Sequence, residues 1–126
     1  MLKYKVIPRK NPSDRILADK YYASIIYNSK IDIDILADRI GRNTTLSKSD
    51  IIGVLVALEE EIVDVLRTGS YVELGELCSF YPAIKSSGAV SANDYNAATN
   101  ITRKYIRVQA KKHMEDSMLN VAVQKV

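Results

Sequence analysis

The sequence predicts an α+β fold in a single domain, and three observations carry that reading. Short runs rich in Tyr, Ile and Val stand near both ends and again after residue 71, as strands require. Two segments between residues 32 and 68 carry apolar residues at helical spacing. The chain has 126 residues, a length that suits one domain around one core.

Taken in order, "KYKVIPR" (3–9) and "KYYASIIYN" (20–28) are expected strands, separated by the loop "KNPSDRILAD" with Asn11-Pro12 as its turn signal. In "DIDILADRIGRN", Ile33, Leu36, Ala37 and Ile40 fall on one helical face, Asp32 is placed to cap the first turn, and Gly41 lies near the end. "TTLSKSDIIGVLVALEEEIVDVLRTGS" is the clearest helix. Ser47 with Asp50 makes a capping-box-like start, Leu46 and Ile51 suit a hydrophobic staple, and Gly69 suits the C′ position. Ile51, Leu55, Leu58, Ile62 and Val65 form one stripe, which Ile52, Val54, Val56 and Val63 widen well beyond a single face. So broad an apolar surface needs more partners than one short helix and a small sheet supply, and points to burial between two subunits.

The stretch "YVELGELCSFYPAIKSSG" opens as a strand, with Val72 and Leu74 alternating, breaks at Gly75-Glu76 and resumes at Leu77, Ser79 and Phe80. Some fifteen small polar residues, "SSGAVSANDYNAATN", precede the next strand-like run. In that run Ile101, Arg103, Tyr105 and Arg107 alternate with Thr102, Lys104, Ile106 and Val108. "AKKHMEDSMLN" reads as a short helix through Ala110, Met114, Met118 and Leu119, and "VAVQKV" as a strand or a frayed tail.

Several function classes are disfavoured. No run of about 18 apolar residues is present, so no membrane span is expected. "MLKYKVIPRK" lacks the apolar core of roughly 7 to 15 residues that a signal peptide needs, and the single Cys78 makes no internal disulfide. Both fit a cytoplasmic protein. One His113 and one Cys78 give no zinc spacing, and no Gly-rich phosphate loop occurs. Glu59, Glu60 and Glu61 point in different directions on a helix. No enzyme, metal, cofactor or small-molecule substrate is expected.

Charge is segregated. Residues 1–30 carry seven basic and two acidic side chains, 31–76 four and ten, 77–100 one of each, and 101–126 six and two. Basic ends around an acidic middle suit a face that meets a polyanion.

From about residue 31 to 120 the chain resembles the HU/IHF family of bacterial histone-like DNA-binding proteins, through "LSKSDIIGVLVALEEEIVDVLRTGSYVELGELCSF". A Leu-Ser start to the second helix, a Gly that ends it and a Val-x-Leu strand match the family pattern. Its Gly-x-Phe-Gly-Ser/Thr-Phe turn survives only as Ser79 and Phe80, without the glycines. "KYKVIPRKNP…KYYASI" further resembles a longer HU-like subfamily with an added amino-terminal strand segment. The resemblance implies one HU-like domain over 1–126, with 1–30 as the strand extension, 31–120 as the core and 86–100 as the tip of a β-arm. It implies an intertwined homodimer with a helical base, a three-stranded sheet and arms that reach around double-stranded DNA. Ile51, Leu55, Leu58, Ile62, Leu77 and Phe80 would then form the dimer interface.

Departures fall where DNA is touched. Between Ser86 and Thr102 there is no basic residue, and no Pro follows Pro82; Val90 or Tyr95 could serve as an apolar wedge. The family's Arg-x-Pro-Gly-Lys run is replaced by "RVQAKKH". Lys85, Arg103, Lys104, Arg107, Lys111 and Lys112 are therefore the expected DNA-binding residues, with Arg103 and Arg107 on one strand face and Lys104 on the other. Lys3, Lys5, Arg9 and Lys10 could add contacts. Two functions remain: a sequence-tolerant architectural protein of the nucleoid acting through phosphate contacts, and an HU-like scaffold turned protein-interaction module.

Overall fold

The computed structural model describes residues 1–10, 13 and 18–126; the Asn11-Pro12 turn lies outside the described residues. Strands β1 (Leu2–Arg9) and β2 (Lys20–Ile26) come first, followed by helices α1 (Ile33–Asn43) and α2 (Lys48–Arg67). Then come β3 (Val72–Leu74), β4 (Cys78–Ser86), the one-turn α3 (Ala97–Asn100), β5 (Ile101–Ala110), α4 (Lys112–Asp116) and β6 (Val123–Lys125). The mixed α+β class expected from the sequence is the one observed.

Two separate sheets result. One has the order β2-β1-β6, with β1 and β2 antiparallel and β6 added parallel to β1. The terminal segment is thus a strand: Leu2 and Val126 donate backbone hydrogen bonds to the carbonyls of Ala122 and Tyr4, at 2.8 and 2.9 Å. The other sheet has the order β3-β4-β5, all antiparallel.

Both long helices start where their caps dictate. The Asp32 carboxylate accepts from the Ile35 N–H at 3.0 Å, and the Ser47 hydroxyl oxygen accepts from the Asp50 N–H at 3.2 Å. At the end of α2, Thr68 is the C-cap and Gly69 follows with φ +91°, its N–H donating to the Leu66 carbonyl at 3.1 Å. That left-handed turn is the reason a glycine stands there. Lys48 ties the helix pair together, 3.2 Å from carboxylate oxygens of both Asp34 and Asp38. Those acids raise the Lys48 pKa, chiefly through its hydrogen bonds to Asp34 and then Asp38.

The core within one chain is small. Among the described hydrophobic residues, only Ala37 of α1 and Ile51 and Leu66 of α2 are buried. Leu46, expected to staple against Ile51, stays 53% exposed. Leu36 and Ile40 of α1, and Val54, Val56, Leu58 and Val63 of α2, remain exposed. Of the expected interface residues, Ile51 already serves the contact between α1 and α2. Leu55, Ile62 and Phe80 are half-buried, while Leu58 and Leu77 are exposed.

Candidate nucleic-acid interface

The ribbon β4–β5 has two chemically distinct faces, and register decides which residue joins which. Lys85 lies opposite Arg103, Ala83 opposite Tyr105, Tyr81 opposite Arg107 and Ser79 opposite Gln109. Directly opposed residues share a face, so these eight lie on one side of the ribbon with Glu73 of β3; Ser79 is buried there, and the exposed part is polar and cationic around Lys85, Arg103 and Arg107. The intervening pairs are Ile84 with Lys104, Pro82 with Ile106, Phe80 with Val108 and Cys78 with Ala110. They make the second face, which is apolar apart from Lys104.

On the cationic face the arginines are held by aromatic rings. The Arg107 guanidinium lies 5.1 Å from the centroid of Tyr81, and Arg103 lies 5.0 Å from that of Tyr105. Tyr81 in turn stacks on Tyr71, with centroids 5.3 Å apart. Stacking occupies the flat face of a guanidinium and leaves its edge N–H donors available for anionic oxygens.

Lys85 and Arg103 oppose one another across the strands, an arrangement that costs stability unless an anion lies nearby. Among the described residues, neither of them nor Arg107 has a carboxylate partner. The face is therefore an unneutralised row of three cations per chain. It suits an anion supplied from outside.

The six expected DNA-contacting residues do not form one surface. Lys85, Arg103 and Arg107 come together; Lys104 lies on the opposite face. Lys111 is the N-cap of α4 and is ion-paired with Glu73 on β3, while its N–H donates to the Leu77 carbonyl at 2.9 Å. The Lys111 pKa is raised, first by the hydrogen bond to Glu73. Lys112 opens α4 beside it. Sequence reading missed the roles of Tyr71, Tyr81, Tyr105 and Glu73. The one available signal was parity: Tyr105 sits two residues from both Arg103 and Arg107 on an alternating strand.

The link between the strands folds on itself. A register shift between Lys85 and Ser86 leaves Thr102 as an extra residue, its hydroxyl donating to the Lys85 carbonyl at 3.2 Å. Beyond it the Asn100 amide donates to Ser87 Oγ (3.1 Å) and the Gly88 carbonyl (3.3 Å), and its Oδ1 accepts from the Asn96 N–H (2.8 Å). The Tyr95 hydroxyl lies 2.6 Å from Ser86 Oγ, so this ring is engaged within the tip, whereas Val90 is 98% exposed. No strand pairing extends beyond Ser86 and Ile101.

Among the described residues no helix is long and apolar enough to cross a membrane, and no group of three or more His, Cys, Asp or Glu is placed to hold a metal ion.

The family described as an HU domain fused to a winged helix-turn-helix, Ig or glycine-rich motif (HU-HIG) matches residues 1–125. Among solved structures, one from Bacteroides vulgatus, assigned as a bacterial DNA-binding protein, is similar with a TM-score of 0.68 at 19% identity. The match covers 99% of this chain but 47% of that one, so this chain spans about half its length. The Anabaena HU–DNA cocrystal structure is similar with a TM-score of 0.56 at 20% identity, over 72% of this chain and 100% of that one. These likenesses show a shared fold. No functionally curated protein matches the sequence.

Proposed function

The chain belongs to the HU-HIG family, and from that premise we propose that it is a sequence-tolerant, histone-like architectural protein of the nucleoid that binds double-stranded DNA as a homodimer. The observation that carries this reading is the opposed pair Lys85 and Arg103, with Arg107 on the same face and, among the described residues, no acidic partner for any of them. The similarity to a protein crystallised on DNA supports duplex DNA as the anion. Phosphate contacts position a protein without reading bases, which is the physical basis of sequence tolerance. No catalytic group, cofactor or small-molecule substrate enters this function.

Surface area supports the second copy. The chain exposes 10669 Å², whereas a folded monomer of its 14.1 kDa mass is expected to expose roughly 6,700 Å². Exposed apolar side chains of α2, Leu77 and the second ribbon face contribute to the excess. Between them runs an open cleft of about 840 Å³, with Val63, Leu66, Ile84 and Ile106 in its apolar lining and Arg67, Arg103 and Lys104 also lining it. Association would cover the apolar residues.

The test is duplex binding across a salt series. With roughly four to six phosphates neutralised per dimer, log K falls against log salt with a slope near −4 to −5. Arg103→Ala with Arg107→Ala flattens that slope by about two units or more, each lost contact contributing about 0.9. A slope near zero for the wild-type protein overturns the reading.

One observation favours the alternative, a protein-interaction module: the tip from Ser86 to Asn100 carries Asp94 as its only charged residue and presents Val90 to solvent. Absence of any gel shift with duplex DNA at low salt decides for that alternative.

A further inference from the structure

The amino-terminal sheet repeats the device of the ribbon. Register places Lys3 opposite Ile26, Lys5 opposite Ser24, Ile7 opposite Tyr22 and Arg9 opposite Lys20, all on one face, with Gln124 of β6 beside Lys3. The other face holds Leu2, Tyr4, Val6, Pro8, Tyr21, Ala23, Ile25, Val123 and one cation, Lys125. Four of the five basic residues in the three strands thus share a face, and none of the strands contains an acidic residue. Lys3, Lys5, Arg9 and Lys20 are all exposed, and among the described residues none forms an ion pair. Arg9 and Lys20 oppose one another as Lys85 and Arg103 do, at the same cost in the absence of an anion.

We propose that the Lys3, Lys5, Arg9 and Lys20 face of the amino-terminal sheet is a second phosphate-contacting surface for duplex DNA. The proposal rests on the DNA reading given above and extends it beyond the β4–β5 ribbon. Alternate residues of a strand recur every ~6.8 Å, so the cations from Lys3 to Arg9 are spread along about 20 Å of the sheet. That spread suits an extended polyanion; a single phosphate group would need them converged. The Tyr22 hydroxyl, on the same face, supplies a further donor to phosphate oxygen.

The experiment uses the full chain with Lys3→Gln, Lys5→Gln, Arg9→Gln and Lys20→Gln combined, and follows fluorescence anisotropy of a labelled duplex from low to high salt. Affinity is expected to fall and the salt slope to flatten by about two units or more per dimer, at about 0.9 per lost phosphate contact. A control with Lys3→Arg, Lys5→Arg and Lys20→Arg, which keeps the charges, is expected to bind as the wild type does. If this control loses binding as fully as the Gln variant, the loss lies in the sheet's folding and the proposal falls. Unchanged affinity and slope in the Gln variant, with binding still weakened by the Arg103 and Arg107 substitutions, overturns this proposal and leaves the DNA reading intact. A wild-type protein that fails to bind overturns both. A Gln variant that binds DNA normally but sediments as a smaller species assigns the face to a second copy of the chain, and the proposal is wrong.

Discussion

Lys111 shows how one contact can withdraw a cation from a binding surface. Its pairing with Glu73 keeps it charged and turned inward to β3, beside but not on the free row of Lys85, Arg103 and Arg107. Its folded pKa lies above the ordinary 10.5, so the pair stabilises the fold fully below 10.5 and ceases to as pH rises through the folded value. Glu73→Gln should therefore lower the melting temperature slightly from neutral pH up to 10.5, with the difference from wild type closing at higher pH. The effect should also shrink with salt, as an exposed pair requires. The same variant frees Lys111 for phosphate. Duplex affinity should rise, and the salt slope should steepen by up to about 0.9 per chain.

Helix α2 separates a solvated stripe from an apolar one. Gly53 lies with Asp50, Ala57, Glu60 and Asp64 on the polar side, and a Cβ placed there meets nothing within 4 Å. Gly53→Ala should raise stability by roughly 0.5–1 kcal/mol in urea denaturation, because a helix-interior glycine carries an entropic cost. A loss of stability instead would place the interface of the proposed dimer on this side of the helix. The β4–β5 hairpin makes a contrasting case. Its tip is held by Asn100, Ser87, Tyr95 and Ser86, and it contains no cation. Replacing Ala89 to Ala97 with a short turn should leave the salt slope of DNA binding within about half a unit of wild type, since no phosphate contact is lost. An arm that wedged Val90 between base steps would lose most of its affinity in the same experiment.

The whole molecule has too little core for its size. Three buried hydrophobic residues among those described stand against a surface of 10669 Å², and in the proposed homodimer folding would depend on association. Its melting temperature should rise with protein concentration in the micromolar range, and light scattering should give the mass of a dimer. Leu58, 37% exposed within one chain, sits midway along α2 on the surface that the proposed dimer would cover. Leu58→Asp should unfold the protein rather than release a stable monomer, as circular dichroism would show. A folded, monomeric Leu58→Asp protein would separate folding from association and refute the coupling.

Local chemistry made part of this protein legible from its residues alone. Asp32 and Ser47 cap helices through bonds to N–H groups three positions away, and Gly69 ends α2 through its own backbone freedom. The helical and strand periods, and the segregation of charge toward the ends, needed no partner to be seen. Contacts between distant segments could not be read this way. The meeting of Lys85 with Arg103 depends on register across the link from Ser87 to Asn100, with an extra residue at Thr102. Lys111 finds Glu73 across 38 positions, and β6 finds β1 across nearly the whole chain. Lys20 joined the basic face of β1 only through the pairing of Arg9 with it. A strand's alternation says which residues share its face, but a shift of one residue in pairing exchanges the faces it presents to its neighbour. Pairing is settled by the long-range packing of the folded chain, and it is pairing that turned scattered cations into two surfaces.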